Sequence, residues 1–138
     1  MDTSTEYAVR PIGWVHSSLK SRTGAPRQTY EGAPGARLEI LPDFAQGLDG
    51  IAAGQDVLVL TWLHEAVRDV LEVHPRGVLP LTGVFATRSP DRPNPVGLHR
   101  VRVLSVEGAR WIHVNALEAI DGTPIIDIKP VLDRSNDA

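Results

Sequence analysis

Prolines and glycines interrupt this chain along its whole length, with eleven prolines and twelve glycines among 138 residues. A proline fixes its own φ and has no backbone N–H to donate, so it disrupts a helix interior or an inner strand. This distribution disfavours long helices and favours short strands joined by turns. A chain of this length forms one domain with a substantial hydrophobic core.

Three of the prolines lie close together within residues 83–98, a segment that we call the proline loop. Each proline pushes the residue before it toward extended geometry, so this segment is stiff before any tertiary contact forms. The loop carries Arg88, Arg92 and Asn94, whose guanidinium and amide groups suit a pocket for an anionic or zwitterionic ligand. A rigid turn with solvated arginines explains the same pattern, since proline-rich loops are common.

Short runs in which polar and apolar residues alternate predict strands on both sides of the proline loop. The predicted strands are residues 7–16, 36–41, 56–63, 98–106, 110–117 and 125–131, with Val84 and Phe85 as a short strand that leads into the loop. Asp43 is expected to cap a short helix that ends near Ile51. Residues 65–73 fit either a helix or a strand.

Strands at this short spacing predict a mainly β fold, either a sandwich or a closed or nearly closed β-barrel of short strands with one or two short helices. The strand at residues 56–63 is apolar on both faces, as expected of a central strand. Closing the sheet into a barrel would also remove its exposed edges.

Composition narrows the classes of function. The apolar fraction of 42% and the charged fraction of 22% are ordinary for a globular protein. No cysteine is present, which excludes a disulfide framework and a thiolate metal site. The five histidines lack metal-ligand spacing, so no metal is expected. Neither a dinucleotide-binding glycine motif nor a phosphate-binding P-loop occurs, so a Rossmann cofactor site and a nucleotide triphosphatase are not supported.

The net charge of −3 argues against a surface dominated by phosphate neutralisation. It allows a local basic patch, because four arginines fall within fifteen residues: Arg88, Arg92, Arg100 and Arg102. The first six residues are polar and show no secretory signal, and no apolar run approaches membrane-spanning length. We therefore expect a cytoplasmic protein with no membrane partner.

The run GVFATRSPDRPNPVGLHRVRV, at residues 83–103, resembles the signature of the TrmO/TsaA-like family, formerly called the YaeB family. Two further segments are similar to motifs of that family: APRQ at residues 25–28 and LEAIDGTPIIDIKP at residues 117–130. The resemblance covers nearly the whole chain. It implies a single TsaA-like β-barrel domain over residues 7–132, with flexible termini at residues 1–6 and 133–138.

Members of this family are S-adenosylmethionine-dependent tRNA methyltransferases that methylate N6 of threonylcarbamoyladenosine beside the anticodon. The resemblance implies that activity here, with S-adenosylmethionine as cofactor, tRNA as partner and a homodimer as the assembly. The bacterial tRNA enzymes usually carry an additional C-terminal domain, and the present chain is acidic. Two alternatives therefore stay open: a methyltransferase that acts on a small molecule, and a non-catalytic module that binds S-adenosylmethionine or RNA.

The resemblance also implies site residues. Cofactor contacts are expected at Pro26, Arg27, Gln28, His64, Glu65, Arg88, Leu98, Asp121, Gly122, Thr123 and Pro124. Arg92 and Asn94 are the candidates for the side that binds the methyl acceptor. The catalytic candidates are Asp121, Asp127 and Lys129, where either carboxylate could take a proton from the acceptor nitrogen. On one extended strand Asp127 and Lys129 share a face, so a structural ion pair is the alternative for these two.

Overall fold

The computed structural model describes residues 1–21 and 32–132. Within these residues the chain forms eight strands: β1 (Gly13–His16), β2 (Ala36–Ile40), β3 (Asp56–Trp62), β4 (Glu72–Val73), β5 (Thr82–Gly83), β6 (Val96–Glu107), β7 (Trp111–Val114) and β8 (Pro124–Pro130). The same residues form three short 3₁₀ helices, at Pro42–Leu48, Pro75–Gly77 and Val84–Ala86.

Six of the strands form a closed antiparallel barrel in the order β1-β2-β7-β6-β3-β8, and β8 pairs with β1 to complete the ring. The longest strand, β6, pairs with β3 through residues 96–102 and with β7 through residues 103–107. A register shift between Val103 and Ser105 separates the two pairings. Such an irregularity bends a strand and increases its twist, which helps β6 to serve both neighbours. The predicted mainly β barrel is confirmed.

The core of the barrel comes from alternate positions of these strands. The inward-facing residues of β3 are buried: Val57, Val59 and Thr61. The same holds in β6 for Val101 and Val103. This period of two is the geometry of a strand with one face on the core. The outer face of β3 is half-buried, which explains why its sequence is apolar at nearly every position.

Several local predictions differ from the structure. Of the strand expected over residues 7–16, only Gly13–His16 is formed. Val84 and Phe85 begin a 3₁₀ helix, and the neighbouring strand is β5, immediately before them. The hydroxyl of Thr87 donates to the carbonyl of Val84 at 3.0 Å, a local side-chain bond that competes with strand pairing. The helix expected after Asp43 is a 3₁₀ helix with Pro42 in its first turn, and Asp43 does not cap it.

Residues 65–73 form turns and end in β4, which pairs with β5 as a separate two-stranded sheet. The chain around this small sheet exposes several large apolar side chains: Val67, Leu71, Val78, Leu79, Leu81 and Phe85. Val78 and Phe85 are the most exposed of these, with 85% and 81% of their surface exposed. The part of the chain that the structure describes contains no helix with the length and apolarity needed to span a membrane.

β1 and β2 approach each other closely at Gly13, which lies opposite Ile40. A Cβ atom at Gly13 would overlap the carbonyl oxygen of Glu39 and lie 3.1 Å from the Cα of Ile40. We expect Gly13→Ala to lower the free energy of unfolding by about 1–3 kcal/mol, as overpacked sites do, measured by urea denaturation. Gly47→Ala is the matched control, because a Cβ there meets no atom within 4 Å. Equal losses in the two variants would contradict the close approach.

Candidate functional site

A cavity of about 1350 Å³ opens at one end of the barrel, between the barrel rim and the proline loop. Its walls come from the residues after β3, from the β4–β5 region, from the proline loop, from the start of β6 and from the segment before β8. Concave sites with a mixed apolar and polar lining are where small molecules bind in most proteins. This cavity is therefore the candidate site.

The proline loop is stiffened by its own hydrogen bonds as well as by its prolines. The guanidinium of Arg92 donates to three backbone carbonyls of the same loop: Ser89 at 2.7 Å, Val84 at 2.6 Å and Thr87 at 2.5 Å. Buried carbonyls of a turn need such partners because they have no strand ladder. Arg92 also lines the cavity, but these bonds commit most of its donors to the loop.

A second arginine fixes the far end of the proline loop. Arg68 donates to the carbonyl of Pro93 at 2.7 Å and to the side-chain oxygen of Asn94 at 3.1 Å, and its guanidinium lies 5.1 Å from the ring centroid of Trp62. Asn94 is therefore bound to the protein, and it lies outside the cavity lining. Arg88 differs, because it is exposed, lines the cavity and makes no hydrogen bond or ion pair to another described residue.

Asp121 lies at a tight turn before β8 and is held by the segment that follows β1. One carboxylate oxygen accepts from the backbone N–H of Ser17 at 2.9 Å, and the other lies 3.2 Å from Nζ of Lys20. The Ser17 hydrogen bond, followed by the Lys20 ammonium, holds the pKa of Asp121 below its usual range. Gly122 completes the turn with a φ of 81°, a value that favours glycine.

Asp127 and Lys129 lie on β8, and Nζ of Lys129 is 3.1 Å from Oδ2 of Asp127. The expected sharing of one face is therefore seen as an ion pair. Neither side chain lines the cavity.

A hydrogen-bonded chain of three side chains lies at the floor of the cavity. His99, an inward-facing residue of β6, is 5% exposed. Its Nε2 lies 2.8 Å from Oγ1 of Thr61, and its Nδ1 lies 3.0 Å from Oε1 of Glu118. His99 and Glu118 line the cavity, whereas Thr61 is fully buried behind them.

The structure thus gathers only part of the predicted site in one place. The predicted residues that line the cavity are His64, Glu65, Arg88, Arg92, Leu98 and Thr123. Those that lie outside its lining are Asn94, Asp121, Gly122, Pro124, Asp127 and Lys129. Pro26, Arg27 and Gln28 lie outside the described residues. The roles of all these residues in binding and catalysis stay predictions.

Sequence reasoning missed His99 and Glu118. A signal was present for His99, because it occupies an inward position of the alternating β6 pattern, directly after the proline loop. A polar residue at such a position needs buried hydrogen-bond partners, which marks it for inspection. No group of three His, Cys, Asp or Glu side chains suited to a metal ion occurs within residues 1–21 and 32–132.

Comparison with known proteins identifies the family. Residues 14–137 match the family model of the tRNA-methyltransferase O N-terminal domain, and the chain belongs to this family. The resemblance drawn from the three sequence motifs is therefore confirmed. A crystal structure of TrmO from Pseudomonas aeruginosa superposes with a TM-score of 0.76 at 30% sequence identity. That match covers 97% of this chain but only 60% of the Pseudomonas chain.

Two archaeal relatives are closer to this chain in length. A probable S-adenosyl-L-methionine-binding protein of Methanothermobacter thermautotrophicus is 44% identical over 125 residues, which is 91% of this chain and 90% of that protein. An S-adenosyl-L-methionine-binding protein of Archaeoglobus fulgidus is 44% identical over 121 residues, which is 88% of this chain and 86% of that protein. The homodimer that the resemblance implies stays a prediction, since the structure describes a single chain.

The environment of Asp121 predicts a pH effect on stability. Because its pKa is lower in the folded protein, the ionised carboxylate stabilises the fold above the unfolded pKa of about 3.9. That stabilisation is lost as the pH falls through the lower folded value. We expect Asp121→Asn to be less stable than the parent protein near pH 7, with a difference that shrinks below about pH 4, in urea midpoints measured across this range.

The matched control for Asp121→Asn is Asp69→Asn, which makes the same change at an exposed carboxylate. A stability loss in Asp121→Asn that stays constant from neutral to acidic pH would contradict the role assigned to its charge.

Proposed function

We propose that this protein binds S-adenosylmethionine in the cavity beside the proline loop and transfers its methyl group to N6 of threonylcarbamoyladenosine in tRNA. The observation that carries the proposal is the position of the family signature. The segment that resembles the family signature, residues 83–103, supplies one wall and part of the floor of the cavity. Membership of the tRNA-methyltransferase O family and the names of the archaeal relatives support the same ligand.

The chemistry of the lining fits S-adenosylmethionine. This ligand combines a zwitterionic amino acid, a cationic sulfonium and a flat base. The cavity offers the guanidinium of Arg88 for a carboxylate, the carboxylate of Glu65 for a cation, and apolar side chains such as Leu98 and Ile120 for a base. The cavity volume exceeds the roughly 300–1000 Å³ of typical ligand sites. It therefore leaves room for part of a methyl acceptor.

When bound, the cofactor supplies a methyl group that is already activated on a sulfonium. The protein then has to hold the acceptor in line with that group, and good positioning contributes about 7–11 kcal/mol to lowering a barrier. The internal bonds of Arg92 and Arg68 hold the loop that carries Arg88 and leads into Leu98. Rigid support of this kind limits the reorganisation needed at the moment of reaction.

A methyltransferase that acts on a small molecule is the second candidate, and the arginines favour it. The local basic patch that the sequence allows is largely neutralised within the protein. Arg92 binds loop carbonyls, while Arg100 and Arg102 both pair with Asp56, at 3.1 and 3.0 Å. These two arginines hold the pKa of Asp56 below its usual range, with Arg102 the larger cause. Fewer cations are thereby left for phosphates.

Methyl transfer from tritium-labelled S-adenosylmethionine to bulk tRNA distinguishes these functions. We expect labelled tRNA, with the label in a methylated threonylcarbamoyladenosine after nuclease digestion. Bulk tRNA from cells that cannot make threonylcarbamoyladenosine is the control and should stay unlabelled. Cofactor binding by calorimetry without labelled tRNA would favour the small-molecule enzyme or the non-catalytic module. Absence of cofactor binding would overturn all three.

Arg88→Ala tests the position of the cofactor. The loss of one charge-assisted hydrogen bond costs about 1.5–3 kcal/mol, so we expect S-adenosylmethionine to bind about 10- to 100-fold more weakly in calorimetry. Arg10→Ala removes the same charge from the exposed N-terminal segment and should bind like the parent protein. Unchanged affinity in Arg88→Ala, or an equal loss in both variants, would remove Arg88 from the binding site.

A further inference from the structure

The chain of hydrogen bonds at the cavity floor fixes one carboxylate. Glu118 lies in the segment before β8, and its side chain is 20% exposed. It is joined through His99 to Thr61, which is fully buried in β3. Both ring nitrogens of the imidazole are therefore engaged, and the imidazole cannot rotate without breaking a buried hydrogen bond. Such a bond is costly to leave unmade inside a protein.

The chemistry of the three groups sets the direction of these hydrogen bonds. An ionised carboxylate accepts hydrogen bonds and donates none, so Nδ1 of His99 carries the proton that faces Glu118. With a neutral imidazole, Nε2 is then an acceptor, and the hydroxyl of Thr61 donates to it. The carboxylate thus sets the tautomer, and the buried hydroxyl satisfies the second ring nitrogen.

Gly97 makes this arrangement sterically feasible. It faces inward beside the His99–Thr61 pair, and a Cβ atom there would lie 2.7 Å from Nε2 of His99 and still closer to Oγ1 of Thr61. Any larger residue at position 97 would push the two polar groups apart. The proline loop therefore ends in a residue whose small size preserves the hydrogen bond behind the cavity floor.

We propose that Glu118 is the carboxylate that accepts the proton released by the methyl acceptor, and that His99 and Thr61 position it. This inference rests on the proposed methyl transfer. The acceptor nitrogen forms an N–C bond to the methyl group, the C–S bond of the donor breaks with its electron pair kept on sulfur, and the N–H proton moves to a carboxylate oxygen of Glu118. Proton acceptors of this kind contribute about 10²–10⁴-fold to a rate.

The other carboxylates of the same sequence motif are placed less well for this task. Asp121 and Asp127 do not line the cavity, and each lies beside a lysine ammonium at 3.2 and 3.1 Å, respectively. The lowered pKa of Asp121 also makes it a weaker proton acceptor. Glu118 lines the cavity, accepts a hydrogen bond from the His99 imidazole and faces the space that the ligands would occupy.

Glu118→Gln tests the catalytic half of the inference. We expect S-adenosylmethionine affinity within about threefold of the parent protein by calorimetry, and a turnover with threonylcarbamoyladenosine-containing tRNA that is lower by about 10²–10⁴-fold. Glu118→Asp, which restores a carboxylate, should recover part of this loss. Glu107→Gln, at an exposed carboxylate outside the cavity lining, is the control with unchanged turnover. The double variant Asp121→Asn with Asp127→Asn tests the rival carboxylates.

Thr61→Val and Thr61→Ser test the positioning half. Valine keeps the shape of threonine but removes the hydroxyl, so we expect a loss in kcat of about tenfold or less with little change in KM. Serine keeps the hydroxyl and should restore kcat. A second readout needs no cofactor: the ¹⁵N signal of Nε2 in the His99 ring reports its hydrogen bond to Thr61, and Thr61→Val should shift that signal.

The outcomes separate the two proposals. A parent protein that labels no tRNA overturns the proposed function, and the inference falls with it. A parent protein that labels tRNA, together with a Glu118→Gln variant of nearly normal turnover, overturns the inference and leaves the function standing. A large loss in the double aspartate variant with none in Glu118→Gln reassigns the proton acceptor. An unchanged ring spectrum in Thr61→Val overturns the positioning role of the hydroxyl.

Discussion

The pairing of β6 with two different strands along its length is the constraint on which the cavity depends. Residues 96–102 pair with β3 and residues 103–107 with β7, so β6 links two sectors of the barrel. The proline loop runs directly into the start of this strand and is thereby fixed at one rim. Side chains alternate between the two faces of the strand. Gly97 and His99 face inward, while Leu98 faces outward at the cavity edge.

Several arginines lie within a short segment, yet most of them are bound to other groups of the protein, so the surface there is not strongly basic. Arg92 satisfies carbonyls that a turn leaves without partners, and Arg100 and Arg102 share the carboxylate of Asp56. Exposed pairs of this kind contribute little to stability, but they do reduce the local field. The charge that remains available at the cavity is concentrated on Arg88.

Much of the fold was predictable from two sequence signals. Polar and apolar residues alternate along a strand, and glycine and proline mark its ends. The predicted strand at Val84 and Phe85 was wrong because a side chain competes with strand pairing there: the hydroxyl of Thr87 donates to the carbonyl of Val84. The resemblance pointed to the loop that lines the cavity, but no sequence pattern states whether an arginine such as Arg92 binds a ligand or its own backbone. The contact between His99 and Glu118 arises from barrel closure, which brings distant segments together in three dimensions.

The fold places the neighbouring carboxylates of Glu118, Asp121 and Asp127 in different surroundings. Asp121 ties the turn to the segment after β1, and Asp127 pairs with a lysine on the outer part of β8. Glu118 precedes the turn and reaches the cavity floor, where it accepts a hydrogen bond from a buried imidazole. A carboxylate paired with an exposed ammonium is screened by water, whereas a partly buried one held by an imidazole keeps its orientation in a lower dielectric. In the proposed mechanism, position relative to the barrel rim, and not residue type, therefore decides which of these acidic groups accepts the proton.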